Sequence, residues 1–483
     1  MSMADIYADK PREECGVLGI FNKGDFDDVV GECYYGLYAL QHRGQESCGI
    51  AVNDDGVITV HKDVGLVNEV FPKETLAALP RGRMAVCHCR YGTTGSSSVL
   101  NAQPLVVRHV KGNMAIAHNG NLTNASELRE KHELGGAIFQ STSDTEVIAY
   151  TITSERLSAP SIERAVINSM GKLKGAYSLV VMSPRKLIAA RDPLGFRPLC
   201  MGKKGESVVF ASESCALDAI GAKLVREIEP GEVVLVTDEG VTSFKDHCEG
   251  KSAFCVFEFI YFARPDSVIN GAAVHEARRR AGALLAQSHP CEADVVIGVP
   301  DSGIDAALGY SAASGIPYGL GFLKNKYIGR TFIAPTQKQR ESDVHIKINP
   351  ISSTVKGKRV VLIDDSIVRG TTCLQIVHLL REAGAKEIHF RLTAPPFKFP
   401  CYFGTDISSS DFLIAHKFSV EQIREQIGVD SLGFLRLEDL PKLSGDECWG
   451  MCDGCFTGNY PVEPPAKCSK SRFEMKLSEN TAD

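Results

Sequence analysis

The chain has 483 residues, and its 53 Lys and Arg against 59 Asp and Glu give a formal net charge of −6. This mild acidity argues against a protein of nucleic acids or anionic membranes, since both classes need basic surfaces. No run approaches the roughly 20 apolar residues of a membrane-spanning helix. The first 14 residues lack the apolar segment of a secretory signal. We therefore expect a cytoplasmic protein whose 16 cysteines are reduced thiols, so that any cluster of them indicates metal binding or catalysis.

The first half of the chain predicts an α+β domain. Apolar residues recur at helical spacing between Val30 and Leu40, and the Asp-Asp-Gly at 54–56 predicts a hairpin turn between two short strands. Ser143 and Glu146 have the spacing of a capping box, which places Asp144 in the first turn of a helix. The other predicted helices lie near 125–133 and 160–172, with strand-like runs between them.

From about residue 270, strands alternate with helices. Continuous apolar runs alternating with helices predict a parallel sheet that is covered on both faces. The predicted strands are Asp294–Val299, Arg359–Ile363 and Ile388–Leu392, and the predicted helices are Ala272–Gln287 and Thr371–Ala383. The polar segment Lys324–Ser353 has few apolar anchors, which is typical of a functional lid or of a disordered segment.

The strongest local motif is VVLIDDSIVRGTT at 360–372. Its apolar residues predict a buried strand that ends at Asp364 and Asp365, at the edge where open α/β sheets bind ligands. The small and hydroxyl-bearing residues that follow lead into a helix N-terminus, whose N–H groups and dipole predict a phosphate cradle. The two carboxylates can hold ribose hydroxyls and Mg²⁺.

This motif resembles the signature of type I phosphoribosyltransferases, which bind 5-phosphoribosyl-1-pyrophosphate (PRPP). The resemblance implies that Asp364 and Asp365 bind ribose and Mg²⁺, one ion per subunit, with Ser302 of the GVPDSG loop at 298–303 as a further ligand. Lys326 and Tyr327 would belong to a loop that closes over the substrate and excludes water. The residues implied for the 5′-phosphate are Ser366, Ile367, Val368, Arg369, Gly370, Thr371 and Thr372.

A second group of motifs lies in the first half of the chain: ECGVLGI at 14–20, LQHRGQE at 40–46, HCRYGT at 88–93, HNGNL at 118–122 and SDTE at 143–146. Together they resemble the class II glutamine amidotransferase domain, whose nucleophile is the mature N-terminal cysteine. The resemblance implies that Cys15 is that nucleophile and that residues 1–14 are a removable propeptide. An α-amino group titrates near about 8, so an N-terminal cysteine carries its own proton acceptor.

The same resemblance assigns the groups around the nucleophile. Asn119 and the N–H of Gly120 would form the oxyanion hole of the tetrahedral intermediate. Arg90 would bind the carboxylate of glutamine, and Asp144 would bind its α-ammonium group.

The C-terminal segment CWGMCDGC at 448–455 contains a C-x₂-C pair, a common half-site for a soft metal. Zinc bound by Cys452, Cys455 and two distant cysteines is one possibility. With CVFEFIYFARPDS at 255–267, PCYFG at 400–404 and CDGCFTG at 452–458, the chain resembles the iron–sulfur branch of the glutamine PRPP amidotransferase family. That resemblance implies a 4Fe-4S cluster, structural or oxygen-sensing, held by Cys255, Cys401, Cys452 and Cys455.

The resemblance extends from Cys15 to about Tyr460. It implies an N-terminal-nucleophile glutaminase domain, an αββα sandwich at 15–250, and an α/β type I phosphoribosyltransferase domain at 251–440, with a cluster-binding tail at 441–483. The implied reaction converts glutamine, PRPP and water into 5-phosphoribosylamine, glutamate and pyrophosphate, the first committed step of purine synthesis. Ammonia would pass from Cys15 to the PRPP site through an interior channel. The family further implies a homotetramer and feedback inhibition by purine nucleotides.

Three rival interpretations compete at this point. One is an inactive or redox-sensing paralogue, and the intact Cys15, Asn119, Asp364 and Asp365 argue against it. Other class II amidotransferases would share the first half, but the motif at 360–372 argues against them. A PRPP-binding transcription regulator would share the second half, but the net charge and the fused glutaminase argue against it.

Overall fold

A computed structural model describes residues 15–24, 28–91, 98–325, 348–405, 407, 409–445 and 450–465. The predicted propeptide at 1–14 and the loop residues Lys326 and Tyr327 lie outside these ranges. Among the described helices, none is both long enough and apolar enough to cross a membrane.

The first half of the chain forms two stacked antiparallel sheets. The strands are β1 (Gly16–Phe21), β2 (Ser47–Asp54), β3 (Val57–Val64), β4 (Met84–Arg90), β5 (Leu105–His109), β6 (Gly112–Leu122), β7 (Gly175–Ser183), β8 (Lys186–Arg191), β9 (Cys200–Lys204), β10 (Ser207–Ala211), β11 (Lys223–Glu227), β12 (Val233–Val236) and β13 (Val241–Phe244). The first sheet has the order β11-β9-β10-β1-β4-β2-β3, and the second has the order β13-β12-β8-β7-β6-β5.

Strand β1 shows why the sheets stack, since all six of its residues are buried. Successive side chains of a strand point to opposite faces, so Val17 packs between the sheets, while Leu18 packs under the helices. At Gly19 a Cβ atom would lie 2.5 Å from Val180 Cγ1 of the other sheet, so the close approach of the sheets requires glycine there.

Helices cover both outer faces of this pair of sheets. Leu37 and Leu217 pack on the first sheet, and Ile148 and Val166 pack on the second. The helices of this half are α1 (Val30–Ala39), α2 (Val67–Val70), α3 (Lys73–Ala78), α4 (Ala125–Leu134), α5 (Asp144–Ser158), α6 (Ile162–Met170) and α7 (Ser214–Ala219). The result is the predicted helix–sheet–sheet–helix sandwich.

The second half is built on a parallel sheet of order β17-β20-β21-β22. The strands of this half of the chain are β14 (Phe254–Cys255), β15 (Val268–Ile269), β16 (Ala272–Ala273), β17 (Val295–Gly298), β18 (Phe322–Lys324), β19 (Ile348–Pro350), β20 (Arg359–Asp364), β21 (Glu387–Leu392), β22 (Ser431–Phe434) and β23 (Met451–Cys452). The helices are α8 (Val274–Ser288), α9 (Gly303–Ser314), α10 (Ser352–Val355), α11 (Thr371–Glu382), α12 (Ile414–Lys417), α13 (Val420–Ile427) and α14 (Gly454–Thr457).

Both faces of the parallel sheet are covered, as the apolar strands predict. Leu285 and Tyr310, from α8 and α9, pack on one face, and Ile376 and Ile423, from α11 and α13, pack on the other. Short 3₁₀ helices lie at Val99–Asn101, Ser410–Phe412 and Leu437–Ser444, and a π-helix lies at Glu258–Phe262.

Two local predictions needed correction. Ser143 caps α5 by accepting a hydrogen bond from Thr145 N at 3.2 Å, but Glu146 does not complete a capping box. Its carboxylate instead accepts hydrogen bonds from Ser141 N and Ser141 Oγ, both at 2.7 Å. The helix predicted from Ala272 begins at Val274, because Ala272 and Ala273 pair with β15.

Candidate functional site

The first candidate site lies where β1 begins and β4 ends. Gly16 pairs with Cys89 in antiparallel register, which places Cys15 beside Arg90. Cys15 is 8% exposed, and its Sγ lies 3.5 Å from the carbonyl oxygen of Tyr91. Arg90 is buried and donates a hydrogen bond to Glu46 Oε2 at 3.1 Å. The thiol and the guanidinium assigned to the nucleophile and to the glutamine carboxylate therefore share one edge of the sheet.

Strand β6 of the second sheet contributes the two residues of the predicted oxyanion hole. His88 Nε2 on β4 lies 2.9 Å from the carbonyl oxygen of His118 on β6, which brings the two sheets together at this level. Asn119 follows directly, is 1% exposed, and its Nδ2 has no hydrogen-bond partner among the described residues. A buried amide donor without a partner is unfavourable by about 1–3 kcal/mol. A ligand oxygen that accepts a hydrogen bond from Nδ2 would explain why this cost is tolerated.

Gly120 is held in a conformation that favours glycine, with φ of +140°. A Cβ atom at this position would overlap the carbonyl of Ala176 on the neighbouring strand β7. The backbone beside Asn119 is therefore fixed by its own sheet, as a donor of the oxyanion hole requires.

Asp144 lies in the first turn of α5 and is buried. Its Oδ2 accepts a hydrogen bond from Leu122 N at 3.1 Å, and its Oδ1 lies 3.5 Å from His118 Nδ1. Burial raises the pKa of this carboxyl, but His118, the Leu122 N–H and Arg90 outweigh it, so the net pKa lies below the ordinary value. Asp144 is therefore an anion, suited to an ammonium ligand.

His118 and His88 were not assigned roles from the sequence, although both lie in quoted motifs. His118 lies on β6 and connects this strand to Asp144. Burial lowers the pKa of His88 to about 3, so His88 is neutral and donates a hydrogen bond to the His118 carbonyl oxygen. Only the position of His118 directly before Asn119 could have signalled its role in the sequence.

The second candidate site lies at the carboxyl end of β20. Asp364 and Asp365 are fully buried, and Asp365 Oδ2 accepts a hydrogen bond from Ser302 Oγ at 2.5 Å. Asp365 Oδ1 accepts another from Ser366 Oγ at 2.6 Å. Strand β17 pairs in parallel with β20 and leads to Ser302, so the sheet brings all three predicted Mg²⁺ ligands to one edge.

The loop that follows leads into the N-terminus of α11. Gly370 has a φ of +89° and precedes the first helical residue, Thr371, whose Oγ1 is buried without a hydrogen-bond partner in the described part of the chain. The side chains of Ile367 and Val368 are 2% and 4% exposed and pack in the core on opposite faces of the sheet. Of the predicted phosphate ligands, these two can therefore contribute only their main chain.

Arg369 and Thr372 belong to the same loop and helix, and Lys324 lies beside the GVPDSG loop. The Arg369 guanidinium lies over the ring of Phe412, 4.8 Å from its centroid, and Thr372 lies in the first turn of α11. Lys324 forms an ion pair with Asp301 of the GVPDSG loop at 298–303. Lys326 and Tyr327 lie outside the described residues, so their predicted contacts stay predictions.

The four predicted cluster ligands line a single cavity together with aromatic side chains. Cys255 and Cys452 are register partners in the parallel pair β14–β23. Cys401 Sγ accepts a hydrogen bond from Phe403 N at 3.5 Å. Burial, followed by the thiols of Cys401, Cys452 and Cys255, raises the pKa of Cys455. The lining residues include Cys255, Cys401, Cys452, Cys455, Phe196, Phe257, Phe397, Phe403 and Tyr460.

Comparison with known proteins matches two separate parts of the chain to two domain families. Residues 89–219 match the glutamine amidotransferase domain family, and residues 270–394 match the phosphoribosyl transferase domain family. Curated relatives named amidophosphoribosyltransferase include those of Bacillus subtilis, 48% identical over 94% of this chain and 95% of the relative, and Methanocaldococcus jannaschii, 47% identical over 93% and 98%.

Two solved structures are similar over almost the whole chain. One is the glutamine PRPP amidotransferase of B. subtilis complexed with ADP and GMP, with a TM-score of 0.86, 47% identity, and coverage of 93% of this chain and 98% of that one. The other is described as the allosteric regulatory enzyme of purine biosynthesis, with a TM-score of 0.88, 47% identity, and coverage of 94% and 97%. The chain therefore belongs to the amidophosphoribosyltransferase family, which joins a glutamine amidotransferase domain to a phosphoribosyltransferase domain.

Proposed function

We propose that Cys15 releases ammonia from glutamine and that the site at Asp364 and Asp365 uses it to convert PRPP into 5-phosphoribosylamine and pyrophosphate. The observation that carries the first half is the position of Cys15 beside Arg90 in the register of β1 and β4. The buried Asn119 follows His118, whose carbonyl oxygen accepts a hydrogen bond from His88 on β4. The thiolate attacks the side-chain carbon of glutamine, the ammonia leaves, and water hydrolyses the thioester to glutamate.

Each neighbouring group has one role in this proposal. Asn119 Nδ2 and Gly120 N–H stabilise the oxyanion, Arg90 binds the glutamine carboxylate, and Asp144 binds the α-ammonium group. The free α-amino group of Cys15 accepts the thiol proton, which requires removal of residues 1–14. The domain limits proposed from the sequence, 15–250 and 251–440, separate this site from the PRPP site.

The residues at the PRPP site suit Mg²⁺. Buried carboxylate and hydroxyl oxygens from Asp364, Asp365 and Ser302 are hard ligands, and Mg²⁺ usually completes its shell with waters and substrate phosphates. When bound, the ion would neutralise charge that develops on the departing pyrophosphate. The N-terminus of α11 and the Thr371 hydroxyl would bind the 5′-phosphate. The two carboxylates would orient the ribose for attack by ammonia.

The chemistry of the cysteine cavity suits an iron–sulfur cluster. Four thiols line the cavity together with aromatic side chains, and four thiolates are the ligand set of a 4Fe-4S cluster. We therefore propose that Cys255, Cys401, Cys452 and Cys455 hold such a cluster, which joins three segments of the chain.

Further parts of the proposal rest on the family resemblance of the sequence. Ammonia passes between the sites without release, purine nucleotides such as those bound in the B. subtilis enzyme inhibit the reaction, and four copies of the chain assemble. Free thiols and a cluster both need a reducing compartment, so the cytoplasm stays the proposed location.

The test compares wild type with Cys15→Ala under anaerobic conditions, with glutamine or ammonia as the nitrogen donor. The variant should lose synthesis from glutamine and keep synthesis from ammonia, measured as pyrophosphate release. Intact mass of the wild type should show that residues 1–14 are absent. Loss of both activities, loss of neither, or glutamine hydrolysis by a chain that retains residues 1–14 would contradict the proposal.

A further inference from the structure

A network of two arginines and two glutamates lies between the glutaminase sheets and the π-helix at Glu258–Phe262. The side chains of Arg43, Arg197, Glu213 and Glu258 are 0% exposed. Two positive and two negative charges balance, which is the usual condition for burying charged groups. None of the four belongs to the reacting groups proposed above, so the network needs another explanation.

Arg43 connects this network to the nucleophile. Its Nε donates a hydrogen bond to the main-chain oxygen of Cys15 at 3.1 Å. Its Nη1 and Nη2 bind the two carboxylate oxygens of Glu258 at 2.9 and 2.7 Å, and Nη1 also lies 2.6 Å from Glu213 Oε1. A bidentate pair of this kind fixes orientation as well as distance. The position of the Cys15 main chain therefore depends on where Glu258 lies.

Glu258 is held from the phosphoribosyltransferase side. It begins the π-helix, and Arg278 of α8 donates to three main-chain oxygens in and just beyond that helix: Phe259 at 2.8 Å, Tyr261 at 2.9 Å and Ala263 at 2.7 Å. Arg278 is itself buried. A shift of α8 would move the π-helix and, through Glu258 and Arg43, the main chain of Cys15.

Arg197 joins the same carboxylate to the segment after Cys401. Its Nη1 lies 3.4 Å from Glu258 Oε1, and its Nη2 donates to the Phe403 main-chain oxygen at 2.8 Å. A Cβ atom on Gly404 would lie 2.9 Å from Arg197 Nη2, so the absence of a side chain there makes room for this contact. Glu258 is thus the shared acceptor for arginines that reach both the nucleophile and the cysteine cavity.

We propose that Glu258 is a positioning residue for glutamine hydrolysis, which holds Cys15 in place through Arg43 and makes that placement depend on the π-helix between the domains. This inference rests on the proposed role of Cys15. Glu258 contacts neither Arg90 nor Asp144 in the contacts described above, so it should affect the attack step more than glutamine binding. A misplacement of about 1 Å at a reacting group can lower a rate by about 100-fold.

The test is Glu258→Gln in the full chain, with Glu232→Gln as the matched control. Glu232 is also fully buried and bidentately paired, with Arg226 at 2.6 and 2.7 Å, but this pair lies on β11 and in the turn before β12. For Glu258→Gln, kcat for glutamine hydrolysis should fall about 10- to 100-fold while the KM for glutamine stays within about threefold. Synthesis from ammonia, measured on the same preparation, should stay within about threefold of wild type. The control should keep wild-type glutamine kinetics.

Several outcomes would overturn the inference. These are wild-type kcat for glutamine in folded Glu258→Gln, an equal loss of glutamine- and ammonia-dependent synthesis, or an equal effect of Glu232→Gln. If Glu258→Gln does not fold, Arg43→Lys decides, because it keeps the buried charge but loses the planar fork. It should show the same fall in kcat at unchanged KM, and a wild-type kcat would overturn the inference. Cys15→Ala run in parallel separates the two proposals, since its retention of glutamine activity would refute the nucleophile assignment itself.

Discussion

Asn119→Leu tests the proposed oxyanion hole. The substitution keeps the branched shape of the side chain and removes the Nδ2 donor, which is buried without a partner among the described residues. In wild type this donor would form its hydrogen bond only when a tetrahedral oxyanion develops. The variant should therefore bind glutamine normally and stabilise the transition state poorly.

The expected magnitude follows from the burial of Asn119, which is 1% exposed. Loss of one oxyanion-hole donor usually lowers kcat about 100- to 1,000-fold, equivalent to about 2.7–4 kcal/mol in the activation free energy. The free energy of unfolding should not fall. Removing a buried donor that lacks a partner relieves up to about 1–3 kcal/mol of desolvation penalty, so the variant should be at least as stable as wild type.

The assay is steady-state glutamine hydrolysis combined with denaturant unfolding. Asn53→Leu is the control, because Asn53 is a buried asparagine whose Nδ2 does have partners, the main-chain oxygens of Ser183 and Pro184 at 3.3 and 3.0 Å. The control should keep its kcat and lose about 1–3 kcal/mol of stability. A fall in kcat of less than about tenfold in folded Asn119→Leu would refute the assignment of Asn119 as the oxyanion donor.

Four further results are expected. Asp144→Asn should raise the KM for glutamine about 10- to 100-fold, since hydrogen bonds between charged groups contribute about 1.5–3 kcal/mol. In wild type the KM should stay level from about pH 7 to pH 5, because the pKa of Asp144 lies below its ordinary value and the carboxylate stays ionised there; a KM that rises on acidification over this range would contradict the role. Asp365→Asn should abolish pyrophosphate release with either nitrogen donor, and retention of the wild-type rate would exclude it from the PRPP site. Cys452→Ser should remove bound iron and the visible absorbance of a cluster and should lower Tm; stoichiometric zinc in wild type would instead contradict the cluster.

Features encoded by short stretches of sequence were predicted well. The helix near Val30, the hairpin turn at 54–56 and the strand that ends at Asp364 depend on local periodicity and turn residues, and the structure contains all three. The capping box at Ser143 was wrong because Glu146 finds better donors at Ser141, a choice that depends on how the preceding loop folds back.

Features that depend on distant segments could not be predicted from the residues alone. Arg43 and Glu258 are separated by 215 positions, and a charged residue in a motif looks the same in sequence whether it is exposed or buried in a pair. The same holds for the contact between His118 and Asp144, which requires β6 and α5 to meet. Motif resemblance supplied the proposed reacting groups, whereas the contacts proposed to orient them are visible only in three dimensions.

The short parallel pair β14–β23 has a consequence for synthesis of the chain on the ribosome. Phe254 and Cys255 cannot pair until Met451 and Cys452, nearly two hundred residues later, have been synthesised. At the usual rate of about 5–20 residues per second, that delay is about 10–40 s. During this interval the sheets around Cys15 can form while the C-terminal strand that completes the junction between the two domains does not yet exist. A nascent chain can therefore fold the sheets around Cys15 about 10–40 s before the pairing that brings Cys255 beside Cys452 can form.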